Sequence, residues 1–113
     1  MRKYSQNRSE RIADQIHKDL IEILRKYVKD PRITWITIIE VEVIKDNTLA
    51  KVYWTTLKDE QKDSITDALE DAKGYIRTEL AKCSKTFTVP KLKFIYDESL
   101  SRGDAILELM RKL

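Results

Sequence analysis

The stretch of this chain with the most potential for chemistry runs from Ala72 to Lys93. It reads Ala72-Lys73-Gly74-Tyr75-Ile76-Arg77, followed by Lys82, Lys85, Lys91 and Lys93. Ammonium and guanidinium groups at this density bind anions, phosphates above all. Gly74 bears on how they are presented. The surrounding DALEDAKGYIRTEL, residues 67–80, is otherwise helical in pattern, with Ala68, Leu69, Ala72, Tyr75, Ile76 and Leu80 recurring at helical spacing. A glycine inside a helix costs roughly 1 kcal/mol relative to alanine. This chain has only two glycines and could have avoided it. Two readings of Gly74 stand. If it breaks the helix, a second helix begins beside Lys73 and Arg77 with free backbone N–H groups and a positive dipole end, an arrangement that attracts phosphate. Otherwise it allows close packing of helix on sheet, and Lys73 and Arg77 are simply solvated.

Groups suited to catalysis are scarce. The chain has no Gly-rich phosphate loop, no nucleophile elbow, no HExxH and no CxxC. His17 looks toward the polar side of the first helix and is expected to be solvated. Cys83 follows Leu80 by three residues and is expected to be a small, buried or half-buried core residue. Glu40 and Glu42 alternate on an exposed strand face, and Glu70 and Asp71 are adjacent; neither pair has a reason to be desolvated and poised for acid–base work. One cysteine and one histidine are fewer ligands than a structural zinc site needs. No catalytic residue, metal or cofactor is expected, and an enzyme is not indicated.

The elements that must position the cations can be read from periodicity. The 113 residues are expected to form one domain, 1–113, with 1–7 a flexible lead. Residues 8–29 place Ile12, Ile16, Leu20, Ile23, Leu24, Tyr27 and Val28 on one helical face, with Ser9 or Asn7 as cap and Pro31 closing the helix. In the strand TWITIIEVEVI, residues 34–44, strict alternation would put Trp35, Ile39, Val41 and Val43 on one face and leave Ile36 and Ile38 on the other. A bulge near Ile39 and Glu40 gathers Ile36, Ile38, Val41 and Val43 toward the core instead. KDNT, residues 45–48, is turn chemistry, and LAKVYWTTL, 49–57, points Ala50, Val52 and Trp54 inward and Lys51, Tyr53 and Thr55 outward. These two strands make an antiparallel hairpin.

A charged loop, 58–63, precedes a helix that Ser64 can cap and that carries Ile65, Ala68, Leu69 and Ala72. Val89-Pro90 leads into a third strand, 92–96, with Leu92, Phe94 and Tyr96 on one side. SRGDAILELMRKL ends the chain with Ile106, Leu109, Met110 and Leu113 at helical spacing, a short C-terminal helix that Asp104 helps start. Amphipathic helices on one face of a three-stranded sheet define a two-layer α+β domain. The other face is left for solvent or a partner.

Charge is unevenly distributed. The net charge is +3, but residues 1–32 carry 9 Lys/Arg against 5 Asp/Glu, residues 33–72 carry 4 against 9, and residues 73–113 carry 9 against 5, giving +4, −5 and +4. If the outer segments meet in space they make a basic surface that attracts polyanions. No apolar run approaches the roughly 18 to 20 residues of a membrane span, and the basic start MRKYSQNRSER leads into no signal-peptide core. A cytoplasmic protein is expected.

The order of elements, with a glycine-marked interruption between consecutive helices, resembles a type II KH-like domain and specifically the bacterial ribosome-binding factor A family. The matching stretches are KDPRI at 29–33, VEV at 41–43, AKVY at 50–53, AKGYIR at 72–77, VPKLKFIYDES at 89–99, Leu100 and Gly103. In that family the GxxG loop of KH domains is replaced by an Ala-x-Gly kink, here Ala72, Lys73 and Gly74, so the resemblance implies the order α-β-β-α-(kink)-α-β. It also implies a non-catalytic, monomeric assembly factor, important in the cold. Such a factor binds the 30S small ribosomal subunit, at the 5′ and decoding regions of 16S rRNA, during late maturation, and supports 16S processing.

Carried to this chain, the resemblance makes Lys73, Gly74 and Arg77 an RNA-facing kink extended by Lys85, Lys91 and Lys93. Arg32, Arg8 and Arg11, with Arg2 and Lys3, are further candidates. Phe87 stands where the family usually has arginine, and Glu40 where glycine is common. The alternative is a protein-interaction module that uses the open sheet face around Tyr53 and Thr55.

Overall fold

The computed structural model describes residues 7–26, 28–34, 36–44, 46–98 and 111. Helix α1, Arg8–Lys26, forms because Ile12, Ile16, Leu20 and Ile23 recur at helical spacing, and all four are buried. Of the two caps expected, Asn7 does the capping. Its Oδ1 accepts from the Glu10 backbone N–H at 2.8 Å while its Nδ2 donates to Glu10 Oε1 at 2.6 Å, which satisfies one of the helix's orphan donors. Asn7, the last residue of the expected lead, is thus placed at the cap of α1; residues 1–6 lie outside the described residues. A short 3-10 turn, Pro31–Ile33, follows, with Asp30 accepting from the Arg32 N–H.

Strands β1, Ile36–Ile44, and β2, Leu49–Thr56, pair antiparallel. The register shifts between Ile38 and Glu40, so Ile39 is the bulged residue, and Ile38, Val41 and Val43 are all buried. The bulge exists because two apolar sets of opposite parity must reach one core. Asp46 and Asn47 both take positive φ, 56° and 68°, a left-handed backbone that asparagine and aspartate tolerate better than most residues, and the Thr48 N–H donates to the Ile44 carbonyl at 3.2 Å across the turn.

Helix α2, Lys62–Cys83, carries the chain back to β3, Lys91–Tyr96, which pairs parallel with β2 in a sheet ordered β1-β2-β3. A parallel pair needs such a crossover, and its consequence is that β2 is central. Ala50, Val52 and Trp54 of β2 are accordingly buried, with the Trp54 ring 4.9 Å from that of Tyr96. Leu92 is buried, and Phe94 and Tyr96 pack on the same core.

Helix α2 corrects two expectations. It is helical without interruption through Ala72, Lys73 and Gly74, so no second helix begins there and no set of free N–H groups is presented. The reason is energetic. Ile65 and Leu69 before the glycine and Ile76 and Leu80 after it all lie on the buried stripe, and each such side chain contributes about 1.5–3 kcal/mol. The glycine opposes this by only about 1 kcal/mol. Close packing does not explain Gly74 either, because a Cβ built there would meet nothing within 4 Å. Ser64 is likewise not the cap. A 3-10 turn, Asp59–Gln61, runs directly into α2 at Lys62 and places Ser64 inside the helix. The short C-terminal helix expected from Asp104 onward, with Leu100 and Gly103 before it, lies outside the described residues except for Arg111, which is helical.

Candidate nucleic-acid interface

The cations divide by partner. Arg77, on α2, donates Nε to the Pro90 carbonyl at 3.1 Å and Nη2 to the Val89 carbonyl at 2.9 Å. Arg8, at the start of α1, donates Nη2 to the Thr86 carbonyl at 2.8 Å. Carbonyls orient a guanidinium without cancelling its charge, and each arginine keeps donors to spare. Both therefore remain net positive and fixed in place.

Arg32 and Lys73 are held differently. Arg32 forks onto Asp30, Nε to Oδ1 at 3.0 Å and Nη2 to Oδ2 at 2.6 Å, and reaches Asp71 at 3.4 Å. The hydrogen bonds from Arg32 hold the Asp30 carboxyl below the usual aspartate range, and those from Asp30 raise Arg32 further above its already high value. Lys73 Nζ lies 2.8 Å from Glu70 Oε1. The exposed surface around Gly74 thus includes Glu70, Asp71 and Asp67, and the charge of its lysine is largely compensated.

Lys85, Lys91 and Lys93 are exposed, and among the described residues none pairs with a carboxylate. Lys85 stands in the α2–β3 loop, whereas Lys91 and Lys93 point from β3 to the open face of the sheet. Arg11 is exposed one turn beyond Arg8 on α1. Lys51 was not among the sequence candidates, yet the parallel register sets it beside Lys93 on the open face. Periodicity shows which way a strand residue points but not which strand lies alongside, so nothing in the sequence identified this pair. Opposite Lys51 on its other side is Glu42, so charge changes sign across the sheet.

These segments meet at a cleft of about 440 Å³ lined by Arg8, Arg77, Lys91, Phe87 and the Asp46–Asn47 turn. Hydrogen bonds fix its walls. Ser9 Oγ donates to Asn47 Oδ1 at 2.6 Å, and the Lys91 backbone N–H donates to the Thr48 carbonyl at 3.0 Å. Phe87 lines the cleft half-buried and packs on the core. The amino-terminal and carboxy-terminal basic segments do therefore come together, at this end of the fold and not at Gly74.

Four other side chains differ from expectation. His17 is half-buried, its Nε2 3.3 Å from the Ile38 carbonyl beside the bulge. Cys83 is exposed, because it falls at the last turn of α2 beyond the buried stripe. Tyr53 and Thr55 are half-buried. Tyr53 Oη donates to Glu42 Oε1 at 3.3 Å, and desolvation, with Glu42 nearby, raises its phenol above the usual value. Thr55 Oγ1 is shut off from solvent and has no hydrogen-bond partner among the described residues. Those residues contain no cluster of histidine, cysteine and carboxylates suited to a metal, and no helix long and apolar enough to cross a membrane.

Among the described residues the architecture is that of a small two-layer α+β domain, with helices α1 and α2 on one face of a mixed three-stranded sheet. The ribosome-binding factor A family model matches residues 8–110. The chain is 44% identical over 110 residues to ribosome-binding factor A of Staphylococcus carnosus (strain TM300), covering 96% of each. This chain belongs to the ribosome-binding factor A family. Its fold is similar to the crystal structure of ribosome-binding factor A from Thermus thermophilus, with a TM-score of 0.69 at 24% identity over 78% of this chain and 93% of that one. It is also similar to a homology model of the Thermus thermophilus factor as fitted into the cryo-EM map of a 30S complex, with a TM-score of 0.61 at 25% identity over 74% of this chain and 88% of that one.

Proposed function

We propose that this chain is a non-catalytic, cytoplasmic factor that binds the small ribosomal subunit through rRNA during late maturation and supports 16S processing. The observation that carries the reading is the set of uncompensated cations at one end of the fold. Arg8 and Arg77 are fixed by carbonyls, and Lys85, Lys91 and Lys93 are exposed without carboxylate partners among the described residues. Phosphate contacts dominate the affinity of such a surface for RNA and make it fall as salt rises. Lys73 and Arg32 enter as secondary contacts, since each must first leave a carboxylate. Gly74 keeps a role consistent with its bare, exposed backbone, namely allowing a partner to approach α2 closely. A protein-interaction role for the open sheet face gains less support, because Tyr53 and Thr55 are half-buried.

Sedimentation of a lysate through a gradient tests the reading. Co-migration with small subunits, and not with translating ribosomes, is expected. Recovery only at the top of the gradient at low salt overturns it.

A further inference from the structure

We propose that the cleft between the start of α1, the β1–β2 turn and the α2–β3 loop takes one nucleotide of a single-stranded RNA, with its phosphate on Arg8, Arg77 and Lys91 and its base against the Phe87 ring. The assignment rests on the RNA-binding reading and adds to it a location and a mode of contact. The cleft's volume, about 440 Å³, lies within the roughly 300–1,000 Å³ usual for small-molecule sites.

Its charge suits a phosphodiester. Among the described residues, three cations line it against a single carboxylate, Asp46. Two of those cations are held by the neutral carbonyls of Thr86, Val89 and Pro90. A guanidinium fixed in this way is positioned before the ligand arrives, and no ion pair has to break, unlike Arg32 on Asp30 or Lys73 on Glu70. The start of the long helix α1 adds the positive end of its dipole at the same wall.

Phe87 makes the site a nucleotide site and not merely an anion site. An aromatic ring beside fixed cations is how single-stranded nucleic acid is commonly held, with bases stacking on the ring and the backbone tracking the charges. A duplex keeps its bases stacked internally and cannot offer one to Phe87. The ring's own packing on the core and the ties from Ser9 to Asn47 and from Lys91 to Thr48 keep the walls from closing when the cleft is empty.

The test is fluorescence anisotropy of the full chain with a fluorescein-labelled single-stranded RNA octamer, with inorganic polyphosphate as competitor. Arg8→Gln and Lys91→Gln should each weaken both ligands severalfold, whereas Phe87→Leu should weaken the octamer about tenfold, the scale of one lost stack, and leave polyphosphate unchanged. Equal weakening of both ligands by Phe87→Leu overturns the base contact, and octamer binding indifferent to Arg8→Gln and Lys91→Gln overturns the site. Because Phe87 also packs on the core, its ring-proton resonances in the unsubstituted protein provide an independent readout. Upfield movement on adding octamer supports stacking, and unchanged resonances contradict it. Sedimentation with purified small subunits separates the two readings. If these variants bind subunits like the parent, the cleft assignment fails while the subunit-binding reading stands; if the parent itself does not bind, the latter fails independently.

Discussion

The guanidinium of Arg77 donates to the Val89 carbonyl at 2.9 Å, tying the second half of α2 to the residues that lead into β3. Val89 and Pro90 are both buried, and Arg77 donates to both of their carbonyls. A lysine cannot reproduce a two-pronged donor. Arg77→Lys is therefore expected to lower unfolding stability by about 1–2 kcal/mol, measured by urea denaturation. An unchanged midpoint would show that solvent replaces the arginine freely.

Gly74 leads to the opposite prediction. Helix α2 is continuous there and a Cβ meets no atom within 4 Å, so Gly74→Ala should stabilise the free protein by about 0.4–1 kcal/mol. Thermal denaturation checks this, and destabilisation would mean that the glycine backbone departs from helical geometry. If Gly74 serves close approach of a partner, the same substitution weakens small-subunit binding while it stabilises the protein.

The contrast between Gly74 and Ile39 shows what the chain's pattern reveals and what it does not. The bulge at Ile39 was readable because two apolar sets of opposite parity had to share one core, a conflict internal to a short segment. Helix α1 was readable for a similar reason, since Ile12, Ile16, Leu20 and Ile23 declare its buried face. At Gly74 the sequence showed a local penalty and an apolar stripe that includes Leu69, Ile76 and Leu80, but not how completely their burial outweighs the penalty. The candidate site was legible as a list of cations and not as an arrangement. Arg32 meets a carboxylate two positions away, Asp30, but its second one, Asp71, lies 39 positions away, and the Thr86 carbonyl that holds Arg8 lies 78 positions away.

Asp30 gives a pH prediction. Hydrogen bonds from Arg32 lower its native pKa, so its contribution to stability is complete above the unfolded value, about 3.9. That contribution is lost as pH falls through the lowered native value. The Asp30 carboxyl carbon, followed by NMR, should titrate below the ordinary aspartate midpoint, and Arg32→Gln should bring it back up. A midpoint that ignores Arg32→Gln would contradict the pairing.

The core makes a simpler demand. Ile76 is fully buried just beyond Gly74, so Ile76→Ala should cost about 2–5 kcal/mol in urea denaturation. A cost below about 1 kcal/mol, the range of an exposed surface site, would mean that α2 does not pack on the sheet through this residue.

Equilibrium binding to purified small subunits at several salt concentrations tests the proposed function most directly. Lys85→Glu, Lys91→Glu and Lys93→Glu together should weaken binding at least tenfold and reduce the steepness of its logarithmic salt dependence by about two. Asp59→Lys with Glu60→Lys, in the acidic turn before α2, should change it little. Equal effects from the two sets, or binding insensitive to salt, would contradict recognition of rRNA through the basic end of this fold.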